Sequence, residues 1–371
     1  MNVYTFVFVN QIGKNSFIMK LRNILSILGT MFILAACSSE NDTINGDINA
    51  ALDSNSSKSA AIAMKVMLNN SLTTKATESV VVGGDTTIAA TETISKVSML
   101  LIASDGNVIA AKDGVTLNAT TGITNETFVV KSQSGLKVAI IANSSVAFAA
   151  CKTLAEVNAK VQSSADLATF VKYGIADVTI TKEYASPTDA IANPNTVEVP
   201  VHQLAARVEL YSFTVADNAF TFGNTKPAPV VIETVTLKNV KNSCLTLASG
   251  NEVDEAANAG LSWASIGGGI TVFNGTSNVG IDNKPYFYTF PSKVTDDSAV
   301  AMYIKFKVGG NVVERTYKIQ HVKGAPSVKS GYVYRLNINL TKATSDDILF
   351  EVKCYTLDWT YKLVNVTLTE E

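Results

Sequence analysis

Few residues of this sequence stand where they could do chemistry, and those few point to processing of the chain rather than to turnover of a substrate. Cys37 follows Leu34-Ala35-Ala36 and precedes the polar run Ser38-Ser39-Glu40-Asn41-Asp42. Ahead of it lie the basic Lys20 and Arg22 and an apolar run from Ile24 to Ala36. A basic start, a short apolar stretch and small residues before the cut describe a signal peptide. The run falls short of the ~20 residues of a bilayer span. A cysteine directly after Leu-Ala-Ala is the lipobox pattern, in which acyl chains such as palmitate modify the thiol and the new amino group. Two or three chains hold a protein stably at a membrane. The second reactive point is the bond Lys75-Ala76 inside the polar segment Thr73 to Glu78, where a trypsin-like surface protease would find a basic residue.

Catalytic and ligand chemistry is otherwise missing from the pattern. The two histidines, His202 and His321, have no acidic partner at useful spacing. There is no His-Glu-x-x-His, no Gly-x-Ser-x-Gly, no phosphate loop and no dinucleotide fingerprint, so the reading is not an enzyme, with no cofactor and no metal. Ile266 to Ile270 is glycine-rich but lacks a strand-to-helix setting. Asp296-Asp297 and Asp346-Asp347 fit turns. With 30 Lys+Arg against 32 Asp+Glu there is no field of one sign to hold nucleic acid. Cys151, Cys244 and Cys354 are scattered, without a Cys-x-x-Cys pair, and read as small buried hydrophobes.

The elements that would position Cys37 and Lys75 are almost all strands. Residues 1–36 are signal peptide, of which 1–18 read as an upstream start or an extended basic region. Residues 37–58 are a polar lipidated tether. Short β-type runs then recur between Gly, Asn, Asp and Ser, among them Ile94 to Ala103, Leu136 to Ala142, Ala206 to Val215, Ala299 to Val308 and Tyr332 to Leu340. Asp105-Gly106-Asn107 and Val308-Gly309-Gly310-Asn311 are hairpin turns. Leu154, Val157 and Val161 behind Thr153 predict one helix, with a further turn near Leu167 to Val171. Ala185 to Asn195 reads as a loop. The class expected is all-β: two tandem β-sandwich domains, 59–196 and 197–345, with a short helix in the first and a C-terminal strand segment, 346–371.

The two ends of the mature chain carry matching patterns. Ile62, Met64, Val66 and Leu68 share one face at period two, and lie ahead of Lys75 in a propeptide strand, 59–75. Ile348, Phe350, Val352 and Cys354 alternate likewise, and after Trp359 so do Val364, Val366 and Leu368. A cut at Lys75 would free the first strand and leave a groove worth roughly 6 to 12 kcal/mol to refill, before ordering entropy. The tail of another copy could fill it, and a head-to-tail contact of that kind does not close on itself. The same alternation equally suits first and last strands that complete their own sandwiches.

Several of these segments, in order, resemble the type V pilins, the FimA-type fimbrillins of Bacteroidetes. Ala61 to Val66 followed by Lys75-Ala76 is similar to that family's first strand and maturation site, and Ile94 to Leu100 to its next strand. Leu204 to Leu210, Pro285 to Pro291, Gly331 to Leu336 and Leu357-Asp358-Trp359 resemble later ones. The resemblance implies two transthyretin-like sandwiches, export as an outer-membrane lipoprotein, and cleavage by a trypsin-like protease. It further implies strand exchange with copies of itself and related pilins into an adhesive fimbria. The family is cut after arginine where this chain has Lys75, so the protease accepts lysine or cuts after Lys58 or Lys65. A donor tail favours shaft or stalk over tip. The alternative is a lipid-anchored pilus anchor or adhesin that is never cut.

Overall fold

The structure is a computed structural model that describes residues 58–68, 93–221, 226–246, 260–263, 269–322, 325–344, 346–358 and 363–368, with backbone alone for 325–326, 357–358 and 363–368. The chain is nearly all β. Its first half contributes β1 (Ser59–Leu68), β2 (Val97–Ile102), β3 (Val108–Val115), β4 (Phe128–Lys131), β5 (Lys137–Ala142), β6 (Val161–Gln162), β7 (Lys172–Asp177) and β8 (Asn195–Gln203). Seven of these form one sheet in the order β3-β2-β5-β7-β8-β1-β4. The sheet curls on itself, because Ile62 and Met64 of β1, Met99 and Leu101 of β2, Val138 and Ile140 of β5 and Val199 of β8 all meet in a single core. A sheet that faces itself in this way is the first sandwich.

β2 and β5 are apolar at every position from Met99 to Ile102 and from Val138 to Ala142 because both of their faces are covered. Leu100, Ile102, Ala139 and Ile141 turn away from the first core into a second one with Phe148, Val157 and Val171. Cys244 and Phe290 of the C-terminal half close that second core. One glycine is required in this sheet. A Cβ on Gly174 of β7 would lie 2.1 Å from the carbonyl oxygen of Pro200 on β8, so no other residue fits.

The second half contains β9 (Ala206–Val215), β10 (Pro229–Lys238), β11 (Cys244–Leu245), β12 (Leu261–Ser262), β13 (Ile270–Asn274), β14 (Tyr286–Thr289), β15 (Ala301–Val308), β16 (Asn311–Lys318), β17 (Gln320–Val322), β18 (Ala325–Pro326), β19 (Tyr332–Ala343), β20 (Ile348–Asp358) and β21 (Leu363–Leu368). One sheet runs β12-β10-β15-β16, with β13 also on β10, and the other β14-β9-β19-β20-β21. Their facing sides share a core whose centre is the aromatic group Phe213, Phe306 and Phe350, with ring centroids 4.7 to 6.1 Å apart. This is the second sandwich.

The halves are joined by more than the chain. β6 pairs with β11, Cys244 opposite Gln162 and Leu245 opposite Val161. Buried Gln162 accepts from Ser144 Oγ and donates to Thr246 Oγ1, both at 2.7 Å, so its amide is satisfied from both halves.

Several expectations change. The division expected after residue 196 falls inside β8, whose Val197, Val199 and Val201 point into the first core. The core changes only after Leu204-Ala205, since Ala206, Val208 and Leu210 of β9 face the second sandwich. The helix capped by Thr153 forms as α1 (Leu154–Asn158), with the Thr153 hydroxyl accepting from the Glu156 N–H. Val161 lies outside it, because the chain leaves the helix to pair with β11. The further turn is α2 (Ser164–Ala168). The Ala185 to Asn195 stretch holds a third short helix, α3 (Pro187–Ala192), rather than a loop throughout. Ser186 caps α3 and Pro187 opens it, a helix start that was present in the sequence.

Candidate functional site

The residues that sequence reasoning singled out gather around β1 and around the tail. Cys37, Lys75, Ala76 and Trp359 lie outside the described residues.

β1 is an interior strand and not an edge. On one side it runs parallel to β8, from Ile62 opposite Asn195 to Leu68 opposite Val201. On the other it pairs antiparallel with β4, from Ser59 opposite Lys131 to Ile62 opposite Phe128. Where β4 ends, the loop 117–124 takes over. The Thr124 N–H donates to the Met64 carbonyl at 2.8 Å, the Val66 N–H to the Gly122 carbonyl at 3.0 Å, and the Met64 N–H to Thr124 Oγ1 at 3.1 Å. Removing β1 therefore opens a slot with unpaired ladders on both walls.

The side chains of β1 divide by parity. Ile62 and Met64 are fully buried in the first core, Val66 is 8% exposed and Leu68 packs against the core from its rim. Burial of the first three is worth about 5 to 9 kcal/mol at roughly 1.5 to 3 each. The opposite face carries Ala61 and Ala63, at 0% and 1% exposure, and α3 packs on β1 and β4. Further along that face Lys65 reaches Glu198 of β8 at 2.9 Å, a half-exposed pair worth little to stability.

This geometry separates the basic residues near β1. Lys65 is bridged on both sides, to Glu198 and to Ile123, and a paired backbone cannot enter a protease cleft. Lys58 pairs with Glu183 at 3.5 Å, and a cut behind it leaves β1 joined to β2. Lys75 is the single Lys or Arg between Leu68 and Lys96 in the sequence.

The tail splits into two strands of different standing. β20 lies between β19 and β21, antiparallel to both. Its Phe350, Val352 and Cys354 are buried in the core of the second sandwich, with Ile348 packed against it. Burial pushes the Cys354 thiol up to about 12. β21 is the last strand of that sheet, pairing only with β20, Val352 opposite Leu368, Cys354 opposite Val366 and Thr356 opposite Val364.

Arg207 sits in a buried ionic group that sequence reasoning did not assemble. Its Nε donates to Glu209 Oε2 at 2.8 Å, and Arg335 Nε on β19 donates to the other carboxylate oxygen. Arg207 lies over the Tyr286 ring at 4.2 Å and Arg335 over the Tyr211 ring at 4.3 Å. Two-residue periodicity hides the group, because Arg207 and Glu209 alternate with the core residues of β9.

Other candidates resolve into structure. His321 is buried against Tyr332 and Tyr334. Asp296 Oδ1 accepts from the Ser298 N–H, and Asp347 pairs with Lys342, as turns require. Among the described residues no group of three or more His, Cys, Asp or Glu could hold a metal, and no helix is long and apolar enough to cross a membrane. Cys151, Cys244 and Cys354 are buried thiols outside any disulfide.

No protein-family model matches the sequence, and no curated protein does. Solved structures do match. A fimbrilin, FimA, of Porphyromonas gingivalis W83 aligns over 81% of this chain and 97% of its own, with a TM-score of 0.50 at 13% identity. A putative cell adhesion protein of Parabacteroides distasonis covers 81% and 98%, with 0.48 at 15%. The tip fimbrial protein Mfa3 of Porphyromonas gingivalis, with a C-terminal truncation, covers 81% and 100%, with 0.49 at 12%. At these identities the likeness is one of fold, and the FimA alignment carries it. The chain has the β-sandwich fold of a fimbrilin.

Proposed function

We propose that the chain is a structural subunit of a cell-surface fimbria with a role in adhesion. In this reading it is exported as a lipoprotein through Cys37 and held at the outer membrane until a trypsin-like protease cuts Lys75-Ala76. It then polymerises head to tail, the tail of one copy replacing β1 of the next, with related pilins as further partners.

The observation that carries the reading is the setting of β1. A ten-residue strand sits in the middle of a sheet, with its large side chains in the core. The segment joining it to β2 contains two basic residues, Lys75 and, directly before β2, Lys96. A cut in that segment turns an internal strand into a separate peptide held only by side-chain burial and ladder bonds, which an identical set of bonds from another strand can replace. The strand suited to leave its own sheet is β21, since removing β20 would uncover Phe350, Val352 and Cys354.

Mass spectrometry of the surface protein tests this. A mature chain beginning at Ala76 and migrating as SDS-resistant ladders is expected. An intact, acylated Cys37 on the surface form would instead mark an uncleaved anchor or adhesin.

A further inference from the structure

Given the strand exchange proposed above, the geometry points to Thr124 and Asn195 as the residues that grip the replacing strand, and they grip it by its main chain. Each is buried, at 5% and 4% exposure, and each bonds to the backbone of β1 where a wall of the slot passes from one segment to another. On one wall β4 gives way after the Ile62 to Phe128 pair. There the Thr124 hydroxyl oxygen accepts the Met64 N–H at 3.1 Å, and the Thr124 N–H donates to the Met64 carbonyl at 2.8 Å. On the other wall Ser59 is bridged to Tyr184, the chain departs into α3, and the ladder resumes with Ile62 opposite Asn195. Asn195 Nδ2 donates there to the Ala61 carbonyl at 3.2 Å.

Both side chains are aimed by bonds that do not involve β1. The Thr124 hydroxyl donates its proton to the Glu126 carbonyl at 2.8 Å, which leaves its lone pairs to face the strand. The Asn195 side-chain oxygen accepts from the Thr181 and Lys182 N–H groups, both at 2.9 Å, and its amide nitrogen also donates to the Lys182 carbonyl at 2.9 Å. When β1 leaves, an acceptor on one wall and a donor on the other stay in position without their partners. A polar group left unpaired in such a place is costly, so the slot favours whatever restores both bonds, and groups already held in place lose little freedom in making them. A strand in the place and direction of β1 restores them with one backbone N–H and one carbonyl, and only proline lacks the first. The grip is therefore blind to side chains, which suits a receiver whose donors are copies of this chain and related pilins of other sequence.

The test uses the full-length chain, cut at Lys75 with a lysine-specific protease and read as SDS-resistant ladders. Once the protease is inactivated, a synthetic peptide of residues 59–68 is added as competitor. A second peptide has an ester in place of the amide between Ala63 and Met64, which removes the Met64 N–H and keeps every side chain. On the parent, about tenfold more of the ester peptide is expected to be needed to halve the ladders, the worth of a buried hydrogen bond. On Thr124→Val, which has no hydroxyl to lose a partner, the two peptides should differ by less than about threefold. Ladders of Thr124→Val, and of Asn195→Asp, which keeps the side-chain acceptor and replaces the donor, should release subunits about tenfold faster than the parent's. Those of Thr124→Ser should release them at the parent's rate. Equal blocking by the two peptides on the parent overturns the grip and leaves the exchange standing, and this comparison decides alone where a variant forms no ladders. An ester penalty as large on Thr124→Val as on the parent, or variant ladders as lasting as the parent's, also overturns the grip. No ladders from the parent, or ladders that the all-amide peptide does not block, overturn the exchange itself and the grip with it.

Discussion

The two sandwiches treat their terminal strands in opposite ways. In the first, β1 is the strand between β8 and β4, and the core contains Ile62 and Met64. In the second, the last strand, β21, pairs with β20 at the border of its sheet, and the core contains Leu210 of β9, Leu336 of β19 and Val352 of β20. One half therefore has its first strand inside a sheet, and the other has its last strand at the border of one. In a polymer assembled as proposed, the contrast teaches that receiving and giving a strand call for different architectures: a receiver loses an internal strand and exposes two ladders, and a giver loses a strand at the border of its sheet.

Deleting residues 59–68 should break the contrast most severely. The core burial removed, about 5 to 9 kcal/mol, is comparable with the whole stability of a domain. Hydrogen exchange should show β4 and β8 losing protection while β9 and β19 retain it. Protection retained in β8 would mean that the first sandwich does not depend on β1.

Glu209→Gln strikes the other half. It leaves the guanidinium groups of Arg207 and Arg335 buried without their shared carboxylate, and should cost about 3 to 5 kcal/mol in β9 and β19. Denaturant melts followed by exchange should place that loss in the second sandwich alone.

A smaller effect separates the halves by pH. Burial, reinforced by positive Lys329, holds His321 below its usual range. An imidazole whose folded value is depressed supports the fold fully above the unfolded value of about 6.5, and that support is lost as pH falls below it. The second sandwich should therefore melt at lower temperature on acidification below that value, and His321→Gln should flatten the dependence. Breaking the Lys65 to Glu198 pair with Lys65→Ala should have the smallest effect, under about 1 kcal/mol. A larger loss would show that the outer face of β1 holds the strand as firmly as the core face does.

Much of this contrast could be read from residues, and part could not. The hairpins at Gly106 and at Gly309-Gly310 were legible because both glycine sites take positive φ, at 86° for Gly106 and at 59° and 112° for the pair. The inward face of β1 was legible from alternation. Its place between two strands was not, because β8 lies some 130 positions away and a parallel partner leaves no local trace in either sequence. β7 escaped notice because Lys172 and Gly174 disguise it. Lys172 is buried at 2% exposure with its ammonium on the Phe170 carbonyl at 3.0 Å. β6 and β11 are two residues each, too short for any periodicity to register. The helix α3 announced itself through Ser186-Pro187 but was masked by its small polar composition.

A fibre standing on a cell surface is tugged by flow, and buried Gln162 bears on where such a tug is felt. A load entering one half of a copy crosses to the other through β6, β11 and the apolar packing around Phe290, and does not hang on the single peptide link at Leu204-Ala205. In a polymer assembled as proposed, any give under tension is expected at the seams between copies, where a borrowed strand is the only fastening.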